Sequence, residues 1–587
     1  MKRVKGAAAV VLAVGMLLST NAWAAEKEAS SVLEARGGME IVQLKDGTAG
    51  QPVAKAQLNE SQRQALEKIY QIVPELKELS VEGVHDEGGT AWGVTLSDRA
   101  GEEAPGIMRA HASLTFETDT GELIMFDIQN PDWASVELPA PGLAREKAAE
   151  FARQVLGDKM KDYRMSSQIG YGGGSSQDDK GNKITWASAN VQFERLINGI
   201  PFLNSGIRVS VDAAGHVTEY YTEGFYRIND GIKDSEPDPA VFPAPPLAIT
   251  REAAEKVFAG LLEMKLNYVG RQPLKYSVFG GKKVETRPVL MYTPSNYAPI
   301  DAVTGKPLAG YQEQPLTSRI SLAGEGKKLV AGTPEEAAAL LAAETGIDIS
   351  GMKSNRVEER EESLDPGIKL KEYRWMSEPQ TGPDGRPDHS TMRFLHLSAL
   401  ADTGQVVGFN LQDEAGRGKK ATVSREAAQE TAIQFMQKYL DRGVSELEMF
   451  VYPAHEESIP DWVDRSKLEG NEQRPEFHFR FTHTHQGIPV SDRSYSVTVD
   501  GLTGRITGFY DGNSSSSVAL PDSKDVVTAE AAKAEFLKSQ PLRLVYLWPE
   551  YSGQKAPKPL LVYLPDYGVS WGYIDALTGK MVTVEMN

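Results

Sequence analysis

The chain of 587 residues contains no cysteine. That excludes disulfides, thiolate nucleophiles, cysteine zinc sites and a lipid-modified cysteine anchor. Histidine is scarce, nine in all, so imidazole ligands and bases are few. Positive charge is in deficit, 63 Lys and Arg against 81 Asp and Glu, for a net charge of −18. Such a chain is repelled by nucleic acid and anionic lipid, and attracts basic partners or cations. Beyond the N-terminal region no apolar run reaches the roughly 18 residues that a membrane helix needs. What is present is 40% hydrophobic and 25% charged, an ordinary globular composition with length for roughly three or four domains.

The first residues carry a targeting pattern. Lys2, Arg3 and Lys5 precede an apolar run from Ala7 to Leu18, and Ala22-Trp23-Ala24 places small residues where a signal peptidase reads. We expect residues 1–24 to be a signal peptide cleaved after Ala24, and the protein to be secreted or extracytoplasmic in the cell envelope. Loss of three basic residues takes the net charge from −18 to −21. Residues 25–50 are polar and read as a flexible tail.

The rest of the chain is organised by a duplication. Gly199-Ile200-Pro201 is followed by an alternating stretch, Gly206 to Asp212, and then Gly215. Gly487-Ile488-Pro489 is followed by Ser494 to Asp500 and then Thr503-Gly504, displaced by 487 − 199 = 288 residues through the Asp. Around this pair the same pattern recurs six times: a capped amphipathic helix, strands of period two, and a closing turn built on Asp and Gly. The turns are Asp119 to Gly121, Asp212 to Gly215, Asp301 to Gly305, Asp402 to Gly404, Asp500 to Gly504 and Asp575 to Gly579. Helix starts are marked by Asn59 with Gln62, by Arg145-Glu146, by Ile249-Thr250, by Thr333-Pro334-Glu335-Glu336, by Val423-Ser424 and by Val527-Thr528. Proline cannot donate to a sheet ladder, so each Gly-Ile-Pro marks an edge, a strand start or a bulge. Trp186 to Ile197 reads as a strand and Gly170 to Gly174 as a loop.

These signals predict an α+β fold of six modules, each a helix packed on an antiparallel sheet. They form two homologous halves, 51–310 and 330–587, joined by a linker at 311–329 whose scattered Gly, Gln, Lys and Pro show little periodicity. Each half is expected to fold as a unit.

The succession of helix, strand, Gly-Ile-Pro, alternating strand and Asp-x-x-Thr-Gly resembles PepSY and propeptide-type modules, and the ordered duplication resembles the YcdB/YcdC repeat family of exported bacterial proteins. The resemblance implies a helix on an antiparallel sheet. Propeptide relatives bind and restrain their peptidases, which implies a polypeptide partner. No peptidase domain is attached here, so such a partner would be a separate chain. The family hands over no catalytic residues.

His478, His483 and His485 cluster before the second Gly-Ile-Pro, and His483 and His485 share a strand face that could bind a metal. Their counterparts 288 residues earlier are Arg195 and Ile197, so the repeat does not require them. Gly170 to Gly174 with Ser175 and Ser176 lacks the ending of a phosphate loop, and Ser350-Gly351-Met352-Lys353 lacks the companions of an acyl-transfer nucleophile. His455-Glu456 does not extend to the zinc-peptidase motif. The Asp-Gly turns lack calcium-loop spacing. No catalytic, metal or cofactor residue is therefore assigned. The expected function is a non-catalytic exported binding protein, restraining a peptidase or holding exported polypeptides by open sheet edges. The alternatives are an enzyme acting on envelope polymers through carboxylates that sequence cannot assemble, and a structural spacer. Neither nucleic acid nor a membrane span after signal removal is expected.

Overall fold

The computed structural model describes residues 58–87, 89–98, 109–177, 183–222, 237–276, 285–308, 316–362, 365–382, 387–388, 391–413, 415–452, 459–468, 474–513, 518–566 and 572–586. The expected signal peptide and tail lie outside these residues, as does His455-Glu456. Among the described residues no helix is long and apolar enough to cross a membrane.

Each of the six modules opens on a helix: α1 Glu60–Ile72, α2 Pro141–Leu156, α3 Arg251–Leu261, α4 Pro334–Thr345, α5 Arg425–Tyr439 and α6 Ala529–Ser539. Asn59 and Gln62 form a reciprocal capping box at 2.9 and 3.0 Å. Thr250, Thr333, Ser424 and Thr528 each accept from the amide three residues on, at 3.2 Å. These bonds satisfy amides that have no partner within the helix. Helix α2 departs from expectation. It begins four residues ahead of Arg145, with Pro141 at its first position, where proline presets the helical φ, and it has no side-chain cap because the residue before it, Ala140, has no polar side chain.

In the first half, helix α1 is followed by β1 Ser80–Glu87, β2 Ala91–Ser97, β3 His111–Glu117 and β4 Leu123–Gln129. Helix α2 is followed by β5 Tyr163–Gln177, β6 Lys183–Ile197, β7 Ile200–Val211 and β8 Val217–Thr222. Helix α3 is followed by β9 Glu263–Pro273, β10 Thr286–Ser295 and β11 Ile300–Asp301. Strand β12, Leu316–Ser321, comes next. In the second half, α4 leads to β13 Met352–Glu362, β14 Asp365–Ser377, β15 Arg393–Leu400 and β16 Val406–Asp413. Helix α5 leads to β17 Glu446–Val451, β18 Glu476–His485, β19 Ile488–Asp500 and β20 Ile506–Asp511. Helix α6 leads to β21 Leu542–Leu547, β22 Leu560–Pro565, β23 Gly572–Asp575 and β24 Met581–Thr583.

Every closing turn has its glycine at positive φ, from 67° at Gly404 to 95° at Gly215. The turns dock on the helix starts. Ile249, Val423 and Val527 donate their amides to Ala302, Gly501 and Ala576 at 2.7, 3.0 and 2.8 Å. The apolar residue before each of these helices thus holds its module's last turn against its first.

Two large sheets result. Among the described residues the first has 11 strands in the order β1-β2-β3-β4-β8-β7-β21-β22-β11, with β5 on β6 and β6 on β7. The second has 13, ordered β13-β14-β15-β16-β20-β19-β9-β10-β23-β24, with β12-β17-β18 joining at β19. The halves have therefore exchanged strands. Hairpin β9–β10 of the first half lies in the second sheet, and strands β21 and β22 of the second half lie in the first. Phe202, next to the first Gly-Ile-Pro, pairs in parallel with Tyr546, and Val490, next to the second, pairs in parallel with Tyr268. Helix α3 packs on β21, while α6 packs on β9 and β10.

This corrects the expectation that each half folds as a unit. Third and sixth modules share one core, in which Phe258 and Tyr268 of the first half join Phe536, Tyr546 and Val490 of the second. The first two modules have a core of their own around Phe116, Phe126, Phe193 and Tyr220, and the fourth and fifth another around Phe479, Phe481, Val497 and Phe509.

Two further expectations change. Gly170 to Gly174 is not a loop: it runs within β5, paired antiparallel with β6 from Ile169 through Gln177. The segment read as a linker contains β12, which lines β17 from Leu316 opposite Val451 to Ser321 opposite Glu446. Its Arg319 donates to the Gly487 carbonyl at 2.8 Å. Alternate apolar side chains were too few for the strand to show, because an edge strand buries little: of Leu316 to Ser321 Ile320 is partly buried and the other five are exposed.

Candidate functional site

The helices pack on one face of each sheet, so alternate residues of every strand point to the other face. On the first sheet that face carries a transverse row in register: Thr95, Ser113, Asp127, Glu219, Ser210 and Asn190. On the second sheet the corresponding row is Arg374, His396, Asn410, Gly508, Thr498 and His478. Both rows cross six strands, and both pass through the pair related by 288 residues, Asn190 with His478 and Ser210 with Thr498. This polar, helix-free face is the best candidate for recognition in each half.

In the first row Ser210 Oγ lies 2.7 Å from Asn190 Oδ1 and 2.8 Å from Glu219 Oε2. Asp127 stands across from Glu219. Burial, and then the neighbouring Glu219 charge, push the Asp127 carboxyl up to about 6, with His111 acting in the opposite sense. The half-buried Asp127 and the exposed Glu219 thus set two carboxylates side by side. Arg208 lies over the Tyr221 ring at 4.7 Å in the adjacent row.

The second row is stabilised differently. Glu372, nearly fully buried, accepts from Arg374 at 2.9 Å and lies 3.5 Å from His396 Nε2. His478 Nδ1 is 3.1 Å from Thr498 Oγ1. Arg480 donates to Ser494 Oγ at 3.1 Å and to the Ser491 carbonyl at 2.9 Å. Lys265, on the exchanged hairpin, pairs with Glu448 at 2.5 Å and sits over the Phe450 ring at 4.6 Å. At the lower end Arg474 pairs with Asp500 and, at 3.3 Å, with Asp413. Burial raises Asp500, but its bonds from Arg474 and Thr503 hold it below the usual carboxylate range. Burial, and then the Asp500 charge, push Glu476 up to about 7 against the pull of Arg474.

The three clustered histidines do not converge. His478 is on the helix-free face. His483 points to the helix side against the Tyr495 ring at 5.4 Å, and its Nε2 is buried with no hydrogen-bond partner among the described residues. Burial and then Arg493 push it down to about 4. His485 meets the Tyr268 ring edge-on at 5.2 Å. Its role is packing at the strand exchange. Among the described residues no group of three or more His, Asp or Glu is placed to hold a metal. Ser350 and Lys353 fall on a turn and the start of β13, with Lys353 engaged by Glu378 at 2.5 Å. The closing-turn aspartates accept amides of their own turns: Asp301 from Thr304 at 2.6 Å, Asp500 from Thr503 at 2.7 Å and Asp575 from Thr578 at 2.8 Å. That is the turn chemistry expected of Asp.

The transverse rows escaped sequence reading. Polar residues at every second position are visible within each strand, but β4 lies beside β8, and β16 beside β20, across whole modules. Only the fold brings Asp127 to Glu219.

Comparison with known proteins bears on the family. The sequence has no match among curated proteins. Among solved structures, the C-terminal domain of Bacillus megaterium YpeB matches with 12% identity and a TM-score of 0.23, covering 44% of this chain and 98% of that one; the superposition is too weak to carry an argument. A family model described as the YcdB, YcdC repeated domain matches residues 59–224 and 369–513, the parts that contribute the two rows. These two matches cover more than half of the chain, and the protein belongs to the family of the YcdB, YcdC repeated domain.

Proposed function

We propose that the protein is an exported, non-catalytic binding protein of the cell envelope or medium whose ligand is a polypeptide, either a peptidase that it restrains or an exported chain that it holds. One observation carries this reading. The same transverse row lies on the helix-free face in both halves, yet its side chains differ at every position, from Asp127 and Glu219 in the first to Asn410 and Gly508 in the second. A reaction needs a fixed constellation; a broad recognition surface tolerates such divergence and gains two different contact sets. The chain's net charge of −18 favours a basic partner and makes association fall with salt.

The test is capture of exported proteins on the immobilised mature chain at low salt. Retention of one or a few basic polypeptides, released as salt rises, is the expected result. Retention of nothing would overturn the reading.

A specific observation favours one rival, an enzyme acting on envelope polymers: the Asp127 carboxyl, raised to about 6 beside Glu219, has the protonation behaviour of a general acid. Hydrolysis of peptide, ester or glycan substrates by the purified protein, abolished by Asp127→Asn, would establish that rival.

A further inference from the structure

The two sheets differ at one equivalent edge. In the second half the first strand after α5 is β17, and its outer side is covered by β12, laid down antiparallel over six residues. The corresponding strand after α2 is β5. Its first part matches β17: Tyr163 opposes Arg195 as Leu447 opposes His483. Among the described residues β5 pairs with β6 alone. It also runs on, with no irregularity from Ile169 to Gln177, so a regular stretch of backbone has an outer side that pairs with none of the described residues.

Edge strands are usually blunted by bulges, charges or a covering element. The beginning of β5 has such protection. A bulge lies between Met165 and Ile169, and Arg145 donates to the Ser167 carbonyl at 2.5 Å. Among the described residues the stretch from Ile169 onward has none of this: it contains neither a charged residue nor a proline, and on its helix-free face Gly170, Gly172 and Gly174 carry no side chain. Asn190 lies beside the first two, and the Trp186 ring lies across the third, where an added Cβ would meet it at 2.8 Å. On the other face Ile169 and Tyr171 pack toward the helices.

We infer that the outer edge of Ile169–Gln177 in β5 binds an extended segment of a separate, basic polypeptide, added antiparallel as a new strand. This rests on the polypeptide-binding reading above and names its site. The manner of binding is on view in the same molecule, where β12 extends β17. The guest's chemistry follows from the surface. Main-chain bonds supply affinity without regard to sequence. Guest side chains at alternate positions reach the helix-free side, where the Trp186 ring and Asn190 lie over the glycines and offer contact. The host's net charge of −18 selects for Lys and Arg among the remainder.

The probe is a labelled decapeptide of alternating Val and Lys, with a proline-interrupted peptide of the same composition otherwise as control. It is added to the full exported chain at low salt, and amide hydrogen exchange is followed. Slowed exchange confined to residues 169–177, with the control peptide inert, is expected. Gly172→Pro and Gly173→Pro provide the second arm. Only one of these two amides points away from β6, so one variant keeps the wild-type melting temperature, and that variant should bind the peptide at least about tenfold more weakly. Protection at another edge instead, or undiminished binding by the well-folded proline variant, would overturn the edge assignment while leaving a polypeptide-binding function in place. Failure of the peptide to bind would overturn it too, and capture of exported proteins would then decide the broader reading separately. Full protection of residues 169–177 before any peptide is added would assign the edge to another part of the chain or to a second copy, and would equally overturn the proposal.

Discussion

Gly504 and Thr507 stand three residues apart in one turn and strand, and they separate backbone from side-chain demands. Gly504 has φ of 69°, where a β-branched side chain is strained, and its missing Cβ would stand 3.5 Å from Val423. Gly504→Val should cost roughly 1–3 kcal/mol. Thr507 is buried, and its hydroxyl has no hydrogen-bond partner among the described residues. Thr507→Val keeps the shape and removes a desolvated polar atom, so it should be neutral or stabilising by about 1 kcal/mol. Thermal melts of the two variants should move in opposite directions or differ plainly; equal melting temperatures would refute the turn assignment. His483 provides a pH signature. Its folded pKa of about 4 lies below the ordinary value of 6.5, so its neutral form stabilises the fold above pH 6.5, and that contribution is lost as pH falls toward 4. Urea titrations of wild type and His483→Leu should diverge in this window, with wild type losing up to about 3 kcal/mol relative to the variant. Glu476 acts in the reverse sense: raised to about 7, it favours the fold below its ordinary value and loses that contribution as pH rises through 7. Comparison with the variant isolates the histidine from it. Parallel titrations would show that His483 is not desolvated.

At the scale of elements, local chemistry was legible wherever it is decided locally. Caps at Asn59, Thr250, Thr333, Ser424 and Thr528, the six Asp-Gly turns and the strand from Trp186 to Ile197 all follow from residues within a few positions. The glycine run in β5 misled because glycine weakens strand propensity, while antiparallel pairing with β6 from Ile169 through Gln177 overrides it. The Gly-Ile-Pro elements were visible as breaks, but not as what they are. Asn198 and Gln486, at φ of 50° and 51°, each form a two-residue turn with the following glycine, and the strand that leaves the turn takes up the exchanged partner. Gln486 also binds Ser523 Oγ at 2.6 Å, in the connection to α6. Two buried tyrosines mirror each other there. Tyr268 donates to the Pro521 carbonyl at 2.9 Å, and Tyr546 to the Pro243 carbonyl at 2.6 Å. Each bond joins one half's hairpin to the other half's chain. Tyr268→Phe and Tyr546→Phe should each cost about 1 kcal/mol. Because the core is shared, either variant should speed hydrogen exchange in strands of both sheets. Acceleration in one sheet alone would mean that the halves unfold independently.

At the scale of the whole molecule, the strand exchange is the feature that sequence could not disclose. The third and sixth modules offer equivalent surfaces, so hairpin β9–β10 can satisfy the same contacts on α6 as it would on α3. Which helix it meets is decided by connections and hinges, and the local pattern is the same either way. The mirrored bonds show how complete the exchange is. Ala302 donates to Leu561 and Ala576 to Leu290, at 2.8 and 2.9 Å, each crossing between halves. Tyr292 donates to the Val527 carbonyl at 2.8 Å, and Tyr563 to the Ile249 carbonyl at 2.9 Å. A chain cut between β11 and β12, giving 25–312 and 313–587, should therefore yield two fragments that recombine. Alone, each retains a two-module core but must close its third module with its own hairpin or exchange it with a second copy. Mixed, they should form a 1:1 complex whose melting approaches that of the intact chain. Size-exclusion chromatography with light scattering, and melts of each fragment before and after mixing, measure both effects. Two monomeric fragments that each melt as stably as the intact protein and do not associate would show that the exchanged hairpins contribute nothing to stability. Recombination would instead make the shared third core the element that fixes the two outward-facing rows relative to one another, and hence the spacing over which a single extended ligand could engage both halves.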